Sequence, residues 1–336
     1  MLILACGFLV ADISVSGLER LAEPGELVYV KGGISLHVGG HPANVSINLV
    51  KLGIPGSEIC VVGNVGNDIF GHFVENTLSA TGIMSQLKRS SAGTTKDVII
   101  LVKGQDRRYH VDLGASWEME PEDVKSAIDE HRPLVFYLAC GMVGKVDDYV
   151  DEILRMAKSN GSFTFLDVVR PYGKSWDFVI PALRWADAFH CNDQEILQIT
   201  GDKDLEAASE RVIGRGAKML LLTKGEGGAV ARTRQFEVEQ PAFEVEVVDP
   251  TGAGDAFCAG AIASLITQYK ETLREIDLTT VSQHTISEAL LMGQAVSAVK
   301  CTGVGTTTAV SKDRVLKLLK EQGGRIRSLQ RVKILV

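Results

Sequence analysis

Apolar positions in this chain follow two rhythms. In the second half, short continuous apolar runs at 134–139, 163–166, 186–190 and 219–222 alternate with helically spaced stretches such as 146–160 and 204–214. Strands covered on both faces read as unbroken apolar runs. Their alternation with helices predicts an α/β fold, a mostly parallel sheet flanked by helices on both faces. Residues 2–10 and 59–63 read as further strands of this kind. Residues 286–300 and 311–322 read as helices, and 325–336 as a short tail.

The other rhythm is strict alternation. Residues 28–31 and 34–38 alternate apolar and polar around Gly32-Gly33, which predicts a hairpin with one wet face. Residues 94–102 and 107–111 read as two more strands around Gly104-Gln105-Asp106. Together, about 13–38 and 94–114 predict a small β-sheet lid inserted in a single domain spanning 1–336. An exposed lid edge invites pairing with a second copy, so a homodimer through the lid is expected.

Composition narrows the class. The 336 residues are 45% apolar and 23% charged, as in ordinary globular proteins. A net charge of −7 argues against nucleic acid or an anionic membrane as the main partner. The six cysteines stand singly with no C-x-x-C pair, so free thiols in a reducing cytoplasm are expected. The apolar N-terminus lacks a basic leader and ends by Asp12, too short for a signal peptide.

One block concentrates chemistry: Asp249-Pro250-Thr251-Gly252-Ala253-Gly254-Asp255-Ala256-Phe257. A β-rich run at 243–248 precedes it and a helical run at 256–269 follows. A strand, a glycine-rich turn and a helix start place the amides of Gly252, Ala253 and Gly254 where an anion can approach. Asp255 at that mouth either complements the helix dipole or takes a proton from a hydroxyl while the amides hold phosphoryl charge. A second block, Gly39-Gly40-His41-Pro42-Ala43-Asn44-Val45, opens a helix whose Asn44 either caps it or contacts a ligand. Asn192 and Glu195 have the spacing of a capping box. Asp167 admits both a strand-end capping role and a functional one.

The D-P-T-G-A-G-D-A-F block and the G-G-x-x-A-N helix resemble the C-terminal and N-terminal signatures of the PfkB/ribokinase family of carbohydrate and nucleoside kinases. The resemblance covers nearly the whole chain. It implies a ribokinase-like fold and ATP-dependent transfer of the γ-phosphoryl group to a sugar or polyol hydroxyl. Asp255 is implied as catalytic base, with Gly252–Gly254 as anion hole. Asp12, Gly39, Gly40 and Asn44 are implied as substrate contacts, with His41 at the variable position. Arg107 or Arg108, from the lid, is a candidate to meet an acidic sugar.

Asp167-Val168-Val169-Arg170, with Trp176 beyond, resembles the D-x-N-x-R … W pattern of fructokinase-like and 2-keto-3-deoxygluconate-kinase-like members, except that valine replaces the asparagine. Arg170 is implied to face phosphates or an acidic substrate. Asn192, Thr223, Gly225, Gly228 and Gly303 are implied around ATP, with Lys224 adding charge or facing solvent. Glu195 is implied to reach Mg²⁺ through water. Asp249 and the backbone at Thr251 are implied to hold K⁺. The alternatives are a nucleoside kinase of the same fold and a non-catalytic sugar- or nucleotide-binding regulator. Gly173-Lys174-Ser175 is no P-loop, and neither H-E-x-x-H nor G-x-S-x-G occurs.

Overall fold

The computed structural model describes residues 1–105, 107–269, 272–275 and 281–335. In chain order, β1 spans Ile3–Cys6, β2 Val10–Leu18, β3 Ile34–Gly39, β4 Ile59–Gly66, β5 Met84–Ser90, β6 Thr95–Val102 and β7 Arg108–Asp112. The second half supplies β8 Val135–Cys140, β9 Phe163–Val168, β10 Ala188–Asn192, β11 Met219–Thr223, β12 Ala229–Arg232, β13 Phe236–Gln240 and β14 Arg331–Ile334.

A ten-stranded sheet runs β14-β13-β12-β11-β10-β9-β8-β1-β4-β5. It is parallel from β11 to β5 and antiparallel through β12, β13 and β14. A separate four-stranded sheet has the order β3-β2-β6-β7. This is the α/β architecture that the alternating pattern predicts.

Successive side chains of β1 show why the parallel strands read as unbroken apolar runs. Ile3 and Ala5 enter one core with Val45, Leu49, Phe257 and Ile286. Leu4 and Cys6 enter the other with Val124, Ile153, Ile196 and Val212. Each face is covered by helices, so neither half of the alternation meets water. All six cysteines are free thiols, five of them buried. Among the described residues no helix is long and apolar enough to cross a membrane.

Four expectations need correction. Residues 2–10 are not one strand: β1 ends at Cys6, and β2 begins at Val10 in the small sheet. Asp12 therefore lies within the small sheet rather than at the end of a main-sheet strand. Residues 28–31 form no strand, and β3 pairs antiparallel with β2 instead. Residues 243–248 form no strand either. Val248 and Asp249 instead donate backbone N–H bonds to the Cys301 carbonyl at 2.8 and 3.1 Å. The tail is structured: the last helix runs Lys312–Leu329, and β14 adds an edge to the large sheet. In each case contact with a distant segment, absent from any local pattern, decides the outcome. Asp106, expected in the β6–β7 turn, and Val336, at the end of the tail, lie outside the described residues.

Candidate active site

The chain crosses from the Asp249 turn into the helix Ala253–Tyr269 at Gly252, whose φ is +78°. A Cβ there would crowd Thr306 at 3.1 Å, and the positive φ favours glycine. The first helical turn directs its amides outward. One of the three expected donors is engaged: Ala253 N–H closes a turn onto Pro250 O at 3.1 Å. Asp255 follows in the first helical turn, 4% exposed.

The first turn of the helix His41–Lys51 meets it at Asn44. Gly40 precedes it with φ +87°, and a Cβ there would lie 2.2 Å from the Phe8 carbonyl oxygen. A Cβ on Gly39 would lie 2.0 Å from the Asp12 carboxylate. The bare backbone lets Asp12, on β2, approach the helix start. Asn44 Nδ2 donates to Asp255 Oδ2 at 2.8 Å. So the early Gly-Gly segment and the late Asp255 share one site.

That site and the next turn of its helix hold buried polar atoms with no hydrogen-bond partner among the described residues: Asp255 Oδ1, Asn44 Oδ1, His41 Nδ1 and both amide atoms of Asn48. Each such atom costs about 1–3 kcal/mol unless water or a ligand satisfies it. The site is also acidic. Burial first, then Asp97, Asp255 and Asp249, push Asp12 well above the usual carboxylate range. Burial and neighbouring Asp167 raise Asp255, against the lowering pull of His41, Asn44 and His190. Burial likewise raises Asp97, which lies beside Asp12 in the β2–β6 register.

Beneath Asp255 lies a network that sequence reading only half found. His190 Nδ1 stands 2.8 Å from Asp167 Oδ1, and Tyr137 donates its hydroxyl to Asp167 Oδ2 at 2.5 Å. The His190 ring stacks on Phe257, centroids 5.4 Å apart. Burial alone would raise Asp167, but the charge and hydrogen bond of His190 outweigh it and hold the carboxylate far down. Burial pulls His190 down, and Asp167 overrides it, raising the imidazole. Ligating atoms of His41, Asp167 and Asp255 fall within 4.8 Å of one another, so the network reaches the site directly. His190 lies within an apolar strand, where a histidine gives no signal until its partner is known.

A cleft of about 800 Å³ opens beside the helix start. Thr223, Gly225, Gly228 and Gly254 line one part, with Phe243 and Ala298 among its apolar walls. Gly228 has φ +84°, and a Cβ there would strike the Gln240 carbonyl at 2.1 Å. Asn192 caps the helix Asp193–Thr200 through Gln194 N and Glu195 N, and Glu195 Oε2 accepts from Asn192 N at 2.8 Å. Burial raises the Glu195 carboxyl. Lys224 pairs with Glu239 at 2.6 Å. Gly303 packs against Ala309, and a Cβ on the glycine would lie 3.0 Å from the alanine methyl.

The remaining candidates separate. Arg108 donates to Gln105 Oε1 at 2.5 Å on the small sheet. Its neighbour Arg107 reaches the Thr251 hydroxyl at 3.4 Å. Arg170 is exposed and lines a second groove with Trp117 and Tyr172. Asp249 is held by Lys300, a fully buried lysine whose ammonium donates to the Asp249 carbonyl and stands 3.8 Å from its carboxylate. Burial would raise Asp249, but Lys300 and hydrogen bonds from Thr251 and Gly305 bring it below its usual range. Lys300 closes a helix of apolar spacing, where a terminal lysine ordinarily reads as solvent-facing.

Residues 8–313 match the pfkB family carbohydrate kinase profile. The chain belongs to that family. A fructokinase of Klebsiella pneumoniae is 28% identical over 239 residues, 68% of this chain and 76% of that protein. Fructokinase-2 of Oryza sativa subsp. japonica is 28% identical over 305 residues, 85% and 87% of the two chains. The fructokinase of Xylella fastidiosa, solved with bound ATP, superposes with a TM-score of 0.80 at 25% identity, covering 96% and 98%. The ribokinase of Giardia lamblia shares the fold, with a TM-score of 0.81 at 20% identity over 95% and 98%. The kinase is accordingly an ATP-dependent phosphotransferase with a sugar hydroxyl as acceptor.

Proposed function

We propose that the acceptor is a neutral sugar, a ketohexose such as fructose first among candidates, and that Asp255 is the general base. The observation that carries this reading is the 2.8 Å contact between Asn44 and Asp255, surrounded by buried polar atoms in want of partners. A polyol offers hydroxyls that both donate and accept, which suits Asn44, Asn48 and His41 together. The carboxyls of Asp12, Asp97 and Asp255 are already pushed up by burial, so a sugar acid would bring one more negative charge to a site that resists charging. The names of the fructokinase relatives support the same acceptor.

In this reading ATP lies in the 800 Å³ cleft, with its γ-phosphoryl group toward Gly252 and Gly254. Asp255 takes the hydroxyl proton as the sugar oxygen attacks the γ-phosphorus in line and the bond from phosphorus to the bridging oxygen breaks, releasing ADP. The helix-start amides hold the charge spread over the transferring oxygens. Mg²⁺, arriving with the nucleotide, neutralises phosphate charge when bound. Glu195 has one oxygen committed to its cap, which suits an ion that keeps most of its waters and meets the carboxylate through one.

The small sheet serves as a lid that excludes water on closure. Its outer face carries Ile13, Val15, Ile34, Leu36, Val98 and Ile100, by the alternation of β2, β3 and β6. Ile34 and Leu36 are 65% and 38% exposed, and covering that face with a second lid supports a homodimer. Free thiols throughout fit a reducing cytoplasm.

The test is ATP turnover with fructose, ribose, a 2-keto-3-deoxy sugar acid and nucleosides offered separately. A neutral sugar is expected to give the highest kcat/KM. Preference for the sugar acid or a nucleoside would reject the neutral-sugar reading.

A further inference from the structure

Two positive side chains converge on the turn that carries the helix-start amides. Lys300 donates its ammonium to the Asp249 carbonyl, and Arg107 donates to the Thr251 hydroxyl at 3.4 Å. The carboxylate of Asp249 is committed as well. Its Oδ1 accepts from Thr251 N at 2.9 Å, and its Oδ2 accepts from Gly305 N at 3.0 Å while facing Lys300 at 3.8 Å.

The family resemblance assigns K⁺ to Asp249 and the backbone at Thr251, and this donor set does not fit it. A monovalent cation needs several oxygens free to turn toward it. Here the Asp249 carbonyl and both of its carboxylate oxygens already serve donors, and two cationic groups would repel a third in a poorly screened place. A buried ion pair is weak evidence for stability, because desolvation offsets most of its attraction. Its position on the turn that leads into the amides gives it another use.

We propose that Lys300 is a built-in replacement for a dissociable monovalent cation, so that this kinase works without K⁺. The ammonium fixes the Asp249–Thr251 turn and tethers a positive charge at the residues that lead into Gly252 and Gly254. Lys300 is thus a positioning residue, and the inference rests on the reading of those amides as the phosphoryl cradle.

The experiment starts with the wild-type enzyme in a medium whose only monovalent cation is tetramethylammonium. ADP formation is read directly by phosphorus-31 NMR. Adding KCl at constant ionic strength is expected to change kcat and the KM for ATP by less than about twofold. A larger, saturable rise would overturn the proposal. Thermal unfolding supplies a readout that needs no turnover: KCl and tetramethylammonium chloride should give the same melting midpoint, and a K⁺-specific rise would count against the proposal.

Lys300→Met is expected to lose about tenfold or more in kcat and to recover in part with K⁺ or ammonium. Full activity of that variant in the cation-free medium, or a loss that neither ion restores, would remove the charge role. Should Lys300→Met fail to fold, the two wild-type measurements decide. Failure of the acceptor or cradle reading would show as missing turnover with every sugar, which leaves the melting comparison intact.

Discussion

His41 Nε2 stands 3.5 Å from Asp255 Oδ1, on the oxygen that Asn44 leaves unbonded. The base is thus flanked by an amide on one oxygen and an imidazole on the other. Burial raises the Asp255 pKa, and His41 is the largest influence pulling it back. Asp255 must be ionised to accept a proton, so kcat/KM should climb with pH through the raised Asp255 value and then level off. Replacing His41 with Phe removes the lowering influence. The acid limb of the profile should then move to higher pH. An unmoved limb in a pH–rate profile would show that His41 does not act on the base.

Asp255→Asn keeps the shape and removes the base. Turnover should fall by about 10²–10⁴-fold, the range general base catalysis supplies. ATP affinity, measured calorimetrically, should stay within a few-fold of wild type, because the cleft is lined by other residues. Near-normal turnover would transfer the base role elsewhere.

Gly40→Ala tests the backbone route between the two blocks. The added methyl would meet the Phe8 carbonyl at 2.2 Å in a φ +87° conformation that L residues avoid. The helix start must shift, carrying Asn44 off Asp255. A steep rise in sugar KM with ATP binding preserved is expected from steady-state kinetics and calorimetry. An unchanged sugar KM would mean that the helix start has no part in holding the acceptor.

The His190–Asp167 pair is 6% and 3% exposed, so losing one partner leaves a buried charge unpaired. His190→Leu should destabilise by about 3–5 kcal/mol in urea unfolding at neutral pH. The pH dependence has two ends. His190 is raised, so its contribution is whole below about 6.5 and fades as pH rises through its folded value. Asp167 is depressed, so its contribution is whole above about 3.9 and fades as pH falls through its folded value. The wild-type minus His190→Leu difference should therefore be largest between those limits. A difference flat across the range would indicate packing loss alone.

The layered α/β plan is legible in the residues alone, because parallel strands buried on both faces must be apolar at every position. Both halves of the site are marked there as well, because the backbone turns through positive φ at Gly40 and at Gly252, which favours glycine locally. Three-dimensional pairing settles the rest. Strand 10–18 leaves the large sheet for the small one because its partners are β3 and β6, residues that no local pattern connects to it. His190 and Lys300 acquire their meaning only from Asp167 and Asp249, carboxyl groups 23 and 51 positions away. A buried charge is set by what the fold brings beside it, and electrostatic neighbours at that separation leave no periodicity to read.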